Sequence, residues 1–228
     1  MQQNLGSVLL ELMPLMIGAA VAPVSITGVL LLLGKQGGLP AGAAFICGAC
    51  ALRLTQGLVF GYILSSNPAA ASATGSNLIV STLLVVMAIL MLITAFKYWD
   101  RDDDPDAPPP RWMARLGGLS VPKAFGMGAA LLALSAKQWV FTLSAIGVIR
   151  TAQLAPPASN GLFLLYVLVA QAFGLVVVIA LAVAPRPAGR AVARTRHWLE
   201  RNNRPVLIAF SLIFGLFFLF KGMTGFTG

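Results

Sequence analysis

PKAFGMGAALLALSAKQWVFTLSAIGVI, Pro122 to Ile149, is the stretch on which the reading of the fold turns. It is over-long for a membrane crossing, which needs about 20 apolar residues. Its middle, Ser135-Ala136-Lys137-Gln138, sets an ammonium and an amide far from either surface. An ammonium at that depth costs about 2.5 to 3.5 kcal/mol on insertion scales, and its stem cannot readily carry it out to the headgroups. Residues of this kind in mid-helix predict a break rather than a plain span.

A counterpart stands near the start of the chain. Val8 to Leu33 would run roughly 39 Å as one helix, against a hydrocarbon core of about 30 Å, so it must tilt, kink or break. Ala22-Pro23-Val24-Ser25 marks the place: Pro23 has no amide hydrogen and leaves the Ala19 carbonyl without its partner, while Ser25 and Thr27 can supply replacement bonds. Each of these segments is followed by another with a polar group near its centre, Arg53 with Gln56 in Ala41–Leu64 and Gln171 in Gly161–Val183. Two further apolar stretches, Asn77–Lys97 and Pro205–Lys221, bring the number to six.

The composition leaves no room for a soluble alternative. With 58% hydrophobic residues, 10% charged ones and a mean hydropathy of +0.85, the 228-residue chain cannot bury its apolar surface inside one water-soluble core. The expectation is an all-α integral membrane protein of six transmembrane helices. Met1 to Ser7 has no Lys or Arg, so no cleavable signal peptide is read there. An odd number of helices per half forces the second half to enter from the opposite face, giving two inverted-topology three-helix repeats, 8–97 and 122–221, with the first helix of each broken or kinked. The join, 98–121, contains the Pro-rich run Asp100–Pro110 with its five Asp and is read as a solvated cytoplasmic linker.

The net charge of +9 would suggest nucleic acid in a soluble protein. Here 12 of the 16 Lys and Arg residues fall in the first, third and fifth loops, leaving only Arg150 and Lys221 on the other side. That is the positive-inside pattern; it places the basic loops in the cytoplasm and both termini outside, with no nucleic-acid partner. Arg186 to Arg204 repeats Arg at helical spacing, with Val192, Trp198 and Leu199 placed to dip into headgroups. It predicts a surface-lying basic helix, either a topology anchor or a recogniser of anionic lipid. Phe210, Phe214, Phe217, Phe218 and Phe220 predict a packing or lipid-facing stripe. Gly57 with Gly61, and Gly126, Gly128, Ala129 and Ala130, predict close helix contact, within the chain or in a homodimer.

The sign of the interior charges narrows the substrate. Arg53 and Lys137 are cations at mid-depth, whereas Glu11, the one carboxylate within these segments, is peripheral. Cation export needs carboxylates, His or thiolates in place of hydration, and the single His197 sits in a basic loop, so neither a metal site nor a cofactor is expected. An anionic or zwitterionic group would be welcomed instead, with the Arg fork donating to it. The candidate substrate-binding residues are Pro23 and Ser25 at the first break, Arg53 and Lys137 as charge partners, and Gln56, Gln138 and Gln171 as orienting amides; Glu11 and Lys137 are the candidates for proton coupling. A neutralising pair between Glu11 and Arg53 is the bland alternative for Arg53. Cys47-Gly48-Ala49-Cys50 invites a redox reading, but no second Cys pair exists to take the electrons, and small packing residues are the expectation. No Ser, His and Asp set and no Gly-rich phosphate loop is present, so the chain is not expected to be an enzyme.

Several stretches carry a family resemblance: Leu9-Leu10-Glu11-Leu12 with Pro14, Ile17-Gly18-Ala19-Ala20 and Ala22-Pro23; Pro110-Arg111-Trp112-Met113; Lys123-Ala124-Phe125-Gly126-Met127-Gly128 with Ser135-Ala136-Lys137-Gln138; and Trp198-Leu199-Glu200-Arg201-Asn202-Asn203 leading to Lys221-Gly222-Met223. Together they resemble the peptidoglycolipid-addressing or sulfolipid-addressing proteins of the lysine-exporter superfamily. The resemblance implies six helices in two inverted repeats in a bacterial cytoplasmic membrane. It also implies a role in moving envelope lipids or glycolipids to the cell surface beside larger transport machinery, either as a transporter or as a non-transporting scaffold. Relatives across that superfamily export amino acids, cations and other small solutes. The family has Asn-Pro-Lys where this chain has Ser135-Ala136-Lys137, which implies a milder second break with the lysine kept.

Overall fold

Proline starts several of the helices, where its missing amide hydrogen would be unbonded anyway and its fixed φ suits the first turn. In the computed structural model, which describes residues 5–21, 23–34, 38–66, 73–100 and 119–227, the helices are α1 (Leu5–Ala20), α2 (Pro23–Leu33), α3 (Leu39–Ser66), α4 (Ala73–Trp99), α5 (Val121–Leu134), α6 (Ala136–Thr151), α7 (Pro156–Ala170), α8 (Ala172–Val183) and α9 (Pro185–Thr227). No strand occurs among the described residues. Three stretches are long and apolar enough to cross a bilayer alone, Leu39–Ile63, Val80–Trp99 and Arg204–Gly225. Two more crossings are made if α5 with α6, and α7 with α8, each count as one bent span. The protein is a multi-pass membrane protein built on helices. Large apolar side chains such as Leu58, Tyr62, Phe96, Leu134 and Phe220 stand exposed around it, as a lipid-facing surface requires.

The break in Pro122–Ile149 is sharp, not mild. α5 and α6 meet at 79°. Ser135 is extended (φ −88°, ψ 100°), and its amide turns back to the Leu132 carbonyl at 3.3 Å. The indole Nε1 of Trp139 donates to the Ala133 carbonyl at 2.6 Å, so a carbonyl freed at the break is satisfied from the next helix without any proline. Trp139→Phe keeps the ring packed against Phe60 and removes that donor. We expect it to lower stability in detergent by about 1 kcal/mol, read as a fall in the thermal unfolding midpoint.

Gly161–Val183 was expected to be one helix and is two. α7 and α8 meet at 65° across Gln171 (φ −108°, ψ 6°), whose amide bonds Leu168 rather than continuing the regular ladder. Just past the bend, Gly174 lies so close to α3 that a Cβ there would come within 2.8 Å of Ile46 Cδ1. The first break lies between α1 and α2. Pro23 and Ser25 belong to the first turns of α2, but their side chains, with residue 22, lie outside the described residues. Most of the linker, 101–118, also lies outside them.

Two apolar clusters hold the helices together. One joins α1, α4, α6, α7 and α9 through Leu12, Met16, Met91, Phe141, Tyr166 and Phe218; the other joins α2, α3 and α5 through Val29, Phe45 and Ala124. α4 and α9 lie antiparallel, with Arg204 donating from Nε and Nη2 to the carbonyls of Tyr98 and Trp99 at one end, both 2.9 Å, and Gly222 against Val85 toward the other. The Phe stripe divides as its spacing predicts. Phe210, Phe214 and Phe218 stack on one another and Phe218 is fully buried, while Phe220 faces out. Gly57 receives the ring of Phe163 from α7, whereas Gly61 and Gly126 border open space. Arg186–Arg204 is helical and runs into the last span through Asn202, which leaves helical geometry (φ −114°, ψ 16°). Its Val192 does not dip into headgroups: it is buried against Leu30 of α2.

Candidate functional site

Arg53 projects from the middle of α3 into the space between α6 and α7 and is 1% exposed. Its Nη1 donates to Thr142 Oγ1 at 2.8 Å and to the Tyr166 hydroxyl at 2.9 Å, and its Nη2 to Gln138 Oε1 at 2.5 Å. The Tyr166 ring stands 5.5 Å from the guanidinium carbon, within cation–π range. Gln138 passes the chain of bonds on, its Nε2 donating to the Ala19 carbonyl at 3.3 Å. That acceptor is the carbonyl that Pro23 was expected to free. Every partner of the guanidinium among the described residues is neutral, so within them its positive charge is solvated but not balanced. Its Nε has no hydrogen-bond partner among the described residues.

The guanidinium borders a narrow chamber where the breaks converge. Ala19 and Ala20 at the end of α1, Ile26 and Val29 of α2, Gln138 at the start of α6, and Ala170, Gln171, Phe173 and Gly174 around the α7–α8 bend are its other described wall residues. Its free space, about 10 Å³ for the centres of water-sized spheres, is near the minimum for one water molecule. α1 and α7 bring carbonyl ends to it, α6 and α8 bring amide ends, and these opposed dipoles largely offset one another. The full charge on the wall is that of Arg53. The positive charge of Arg53 and the side chain of Gln171 both border this chamber.

The other residues singled out from the sequence lie elsewhere. Gln56, one turn beyond Arg53, is 2% exposed, and neither its Oε1 nor its Nε2 has a partner among the described residues. Lys137 is half-buried beside Gln138 and does not border the chamber. Helical geometry explains the separation: neighbours in sequence point about 100° apart, so when Gln138 and Thr142, four residues on, both meet Arg53, Lys137 must face away. Glu11 is half-buried on α1, and the Glu11–Arg53 pair is not formed, the guanidinium being spent on Thr142, Tyr166 and Gln138. Cys47 and Cys50 are free thiols, the first exposed and the second half-buried between the two apolar clusters. Thr142 and Tyr166 are site residues the sequence reading missed. The usable signal was Tyr166 itself, a phenol at the centre of an apolar segment, where a buried hydroxyl needs a partner.

A protein-family model described as Sap, sulfolipid-1-addressing protein, matches residues 12–224. No curated protein and no solved structure matches the chain.

Proposed function

The chain belongs to the sulfolipid-1-addressing protein family, and from that premise we propose that it moves, or helps to move, an anionic envelope glycolipid across the cytoplasmic membrane toward the cell surface. The observation that carries this reading is the unbalanced guanidinium of Arg53 on the wall of a chamber bounded by helix breaks. A sulfate ester is a compact anion with several acceptor oxygens, which suits an Arg fork better than it suits a lone ammonium. The family's printed description names a sulfolipid, and the charge at the chamber agrees with that class. In this proposal the chain works by binding and rearrangement, not by making or breaking covalent bonds.

Six crossings in two inverted repeats remain part of the proposal, with α1–α2, α3 and α4 corresponding to α5–α6, α7–α8 and α9. The pattern of neighbours supports it, because exchanging the halves returns several of the same pairings: α3 with α5 against α7 with α1, α4 with α6 against α9 with α2, and α2 with α3 against α6 with α7. Broken helices at a repeat interface are the common design of membrane transporters, and hinging at the 79° and 65° bends would widen a chamber that is now water-sized. The lysine-exporter superfamily is the wider group that the sequence resemblance implies.

One observation favours a non-transporting scaffold: the guanidinium already has three acceptors and the chamber is closed down around it. Purified protein in liposomes separates the readings. The transporter predicts protein-dependent crossing of a labelled sulfated glycolipid, and slower crossing of the same lipid without its sulfate. Equal rates with and without protein, together with capture of export partners from the membrane, would establish the scaffold. Lys137→Met belongs in the same assay. Because Lys137 does not border the chamber, its loss should slow crossing less than the loss of Arg53 does.

A further inference from the structure

We propose that the basic helix at the start of α9, residues 185–201, is a hinged strap that closes one end of the Arg53 chamber through Val192. The sequence marks the strap by its charge, but the structure shows what its uncharged side does. Val192 is 6% exposed and Leu30 is 1% exposed, and they form a small cluster of their own with Ile26, Phe173, Val177 and Leu181. Ile26 and Phe173 are also wall residues of the chamber. The same two side chains therefore border the chamber and also pack against the Leu30–Val192 cluster, which sets Val192 one layer behind the chamber wall.

The remainder of the strap is built to move as a unit. Arg186, Arg190 and Arg194 recur every fourth residue on the face opposite Val192, and all three are exposed. Among the described side chains of the strap, Val192 is the buried apolar one. At each end the helix leaves regular geometry: Ala184 (φ −137°, ψ 70°) separates it from α8, and Asn202 (φ −114°, ψ 16°) separates it from the last span. Beyond Asn202 the chain is fixed, because Arg204 is bonded to the end of α4. A helix between two bends, tied at both ends and held among its described side chains by the buried Val192, can take two arrangements separated by about that side chain's burial.

This inference gives the proposed binding chamber its gate, so it rests on that reading for its purpose but not for its test. In the full-length protein with Cys47→Ser and Cys50→Ala, reconstituted in nanodiscs, Ala20→Cys on the chamber wall reports access. The readout is its rate of reaction with an anionic methanethiosulfonate, measured without any lipid substrate. Adding Val192→Asp should raise the rate about tenfold, the shift expected when a closed arrangement loses one buried aliphatic side chain. Ala191→Asp, on the exposed side of the same turn, should leave it unchanged. If Val192→Asp does not fold, Val192→Ala decides by the same readout, with a smaller rise. An unchanged rate in the folded Val192 variant, or an equal rise with Ala191→Asp, would overturn the strap. Neither result touches the assignment of Arg53, which is tested by sulfated-lipid binding.

Discussion

Arg53→Met is expected to abolish delivery of the anionic lipid while leaving the protein folded in the membrane. The functional loss should be at least about hundredfold, since charge-assisted hydrogen bonds contribute roughly 1.5 to 3 kcal/mol each and an Arg fork would make two to a sulfate. Stability should move far less. Methionine removes three bonds from the core, but it also removes a charge that has no counter-ion there, and exchanging buried ionic groups for apolar ones of similar volume is often close to neutral. The groups left behind have other partners: Thr142 and Tyr166 already stand 3.3 Å apart, Thr142 also bonds the Gln138 carbonyl, and Gln138 keeps its donation to Ala19. The check pairs surface-exposed lipid in cells with the thermal unfolding midpoint of the purified variant. A large fall in both would make Arg53 a structural tie.

Gly128→Leu should do the reverse and remove the folded protein altogether. A Cβ at Gly128 would stand 2.0 Å from the Phe45 carbonyl oxygen, and one at Gly48 would stand 2.0 Å from the Phe125 carbonyl oxygen. Phe-x-x-Gly on α3 therefore meets Phe-x-x-Gly on α5 reciprocally, backbone against backbone. A rotamer change cannot relieve a clash with a main-chain carbonyl, so the helices must separate and the Val29, Phe45 and Ala124 cluster opens with them. Overpacking costs about 1 to 3 kcal/mol where side chains can give way; here main chain must move on both helices, so the loss should reach a large part of a typical margin of about 5 to 15 kcal/mol. Loss of monodisperse protein on size exclusion, for Gly128→Leu and for Gly48→Leu alike, is the expected outcome. Normal yield of both would show that this contact is not made.

These two predictions also mark what could be read from residues alone. Arg53, Gln138 and Gln171 stood out because polar groups in apolar segments are costly and must have a use, and all three meet at the chamber. The break at Ser135 was legible from the same cost, without a proline. The bend at Gln171 was not, because neither proline nor glycine occupies that position, and the close approach of Gly174 to Ile46 of another helix beside it is a contact no local pattern encodes. Thr142 was passed over because a hydroxyl can bond its own helix backbone, as Thr142 also does with Gln138, so its presence in an apolar run carries little signal. Lys137 was grouped with Gln138 by adjacency, although helical geometry sends adjacent side chains apart. The burial of Val192 among chamber-wall neighbours came from the fold, since the Arg repeat alone suggested contact with headgroups.

Binding of a short-chain sulfated glycolipid to the purified protein, measured by titration calorimetry beside its unsulfated counterpart, tests most directly whether the chamber guanidinium receives an anionic headgroup. The account predicts saturable binding of the sulfated compound only, weakened by about tenfold or more in Arg53→Lys, where the fork is lost, and absent in Arg53→Met. Equal affinity for both compounds, or sulfated-lipid binding that survives Arg53→Met unchanged, would contradict it.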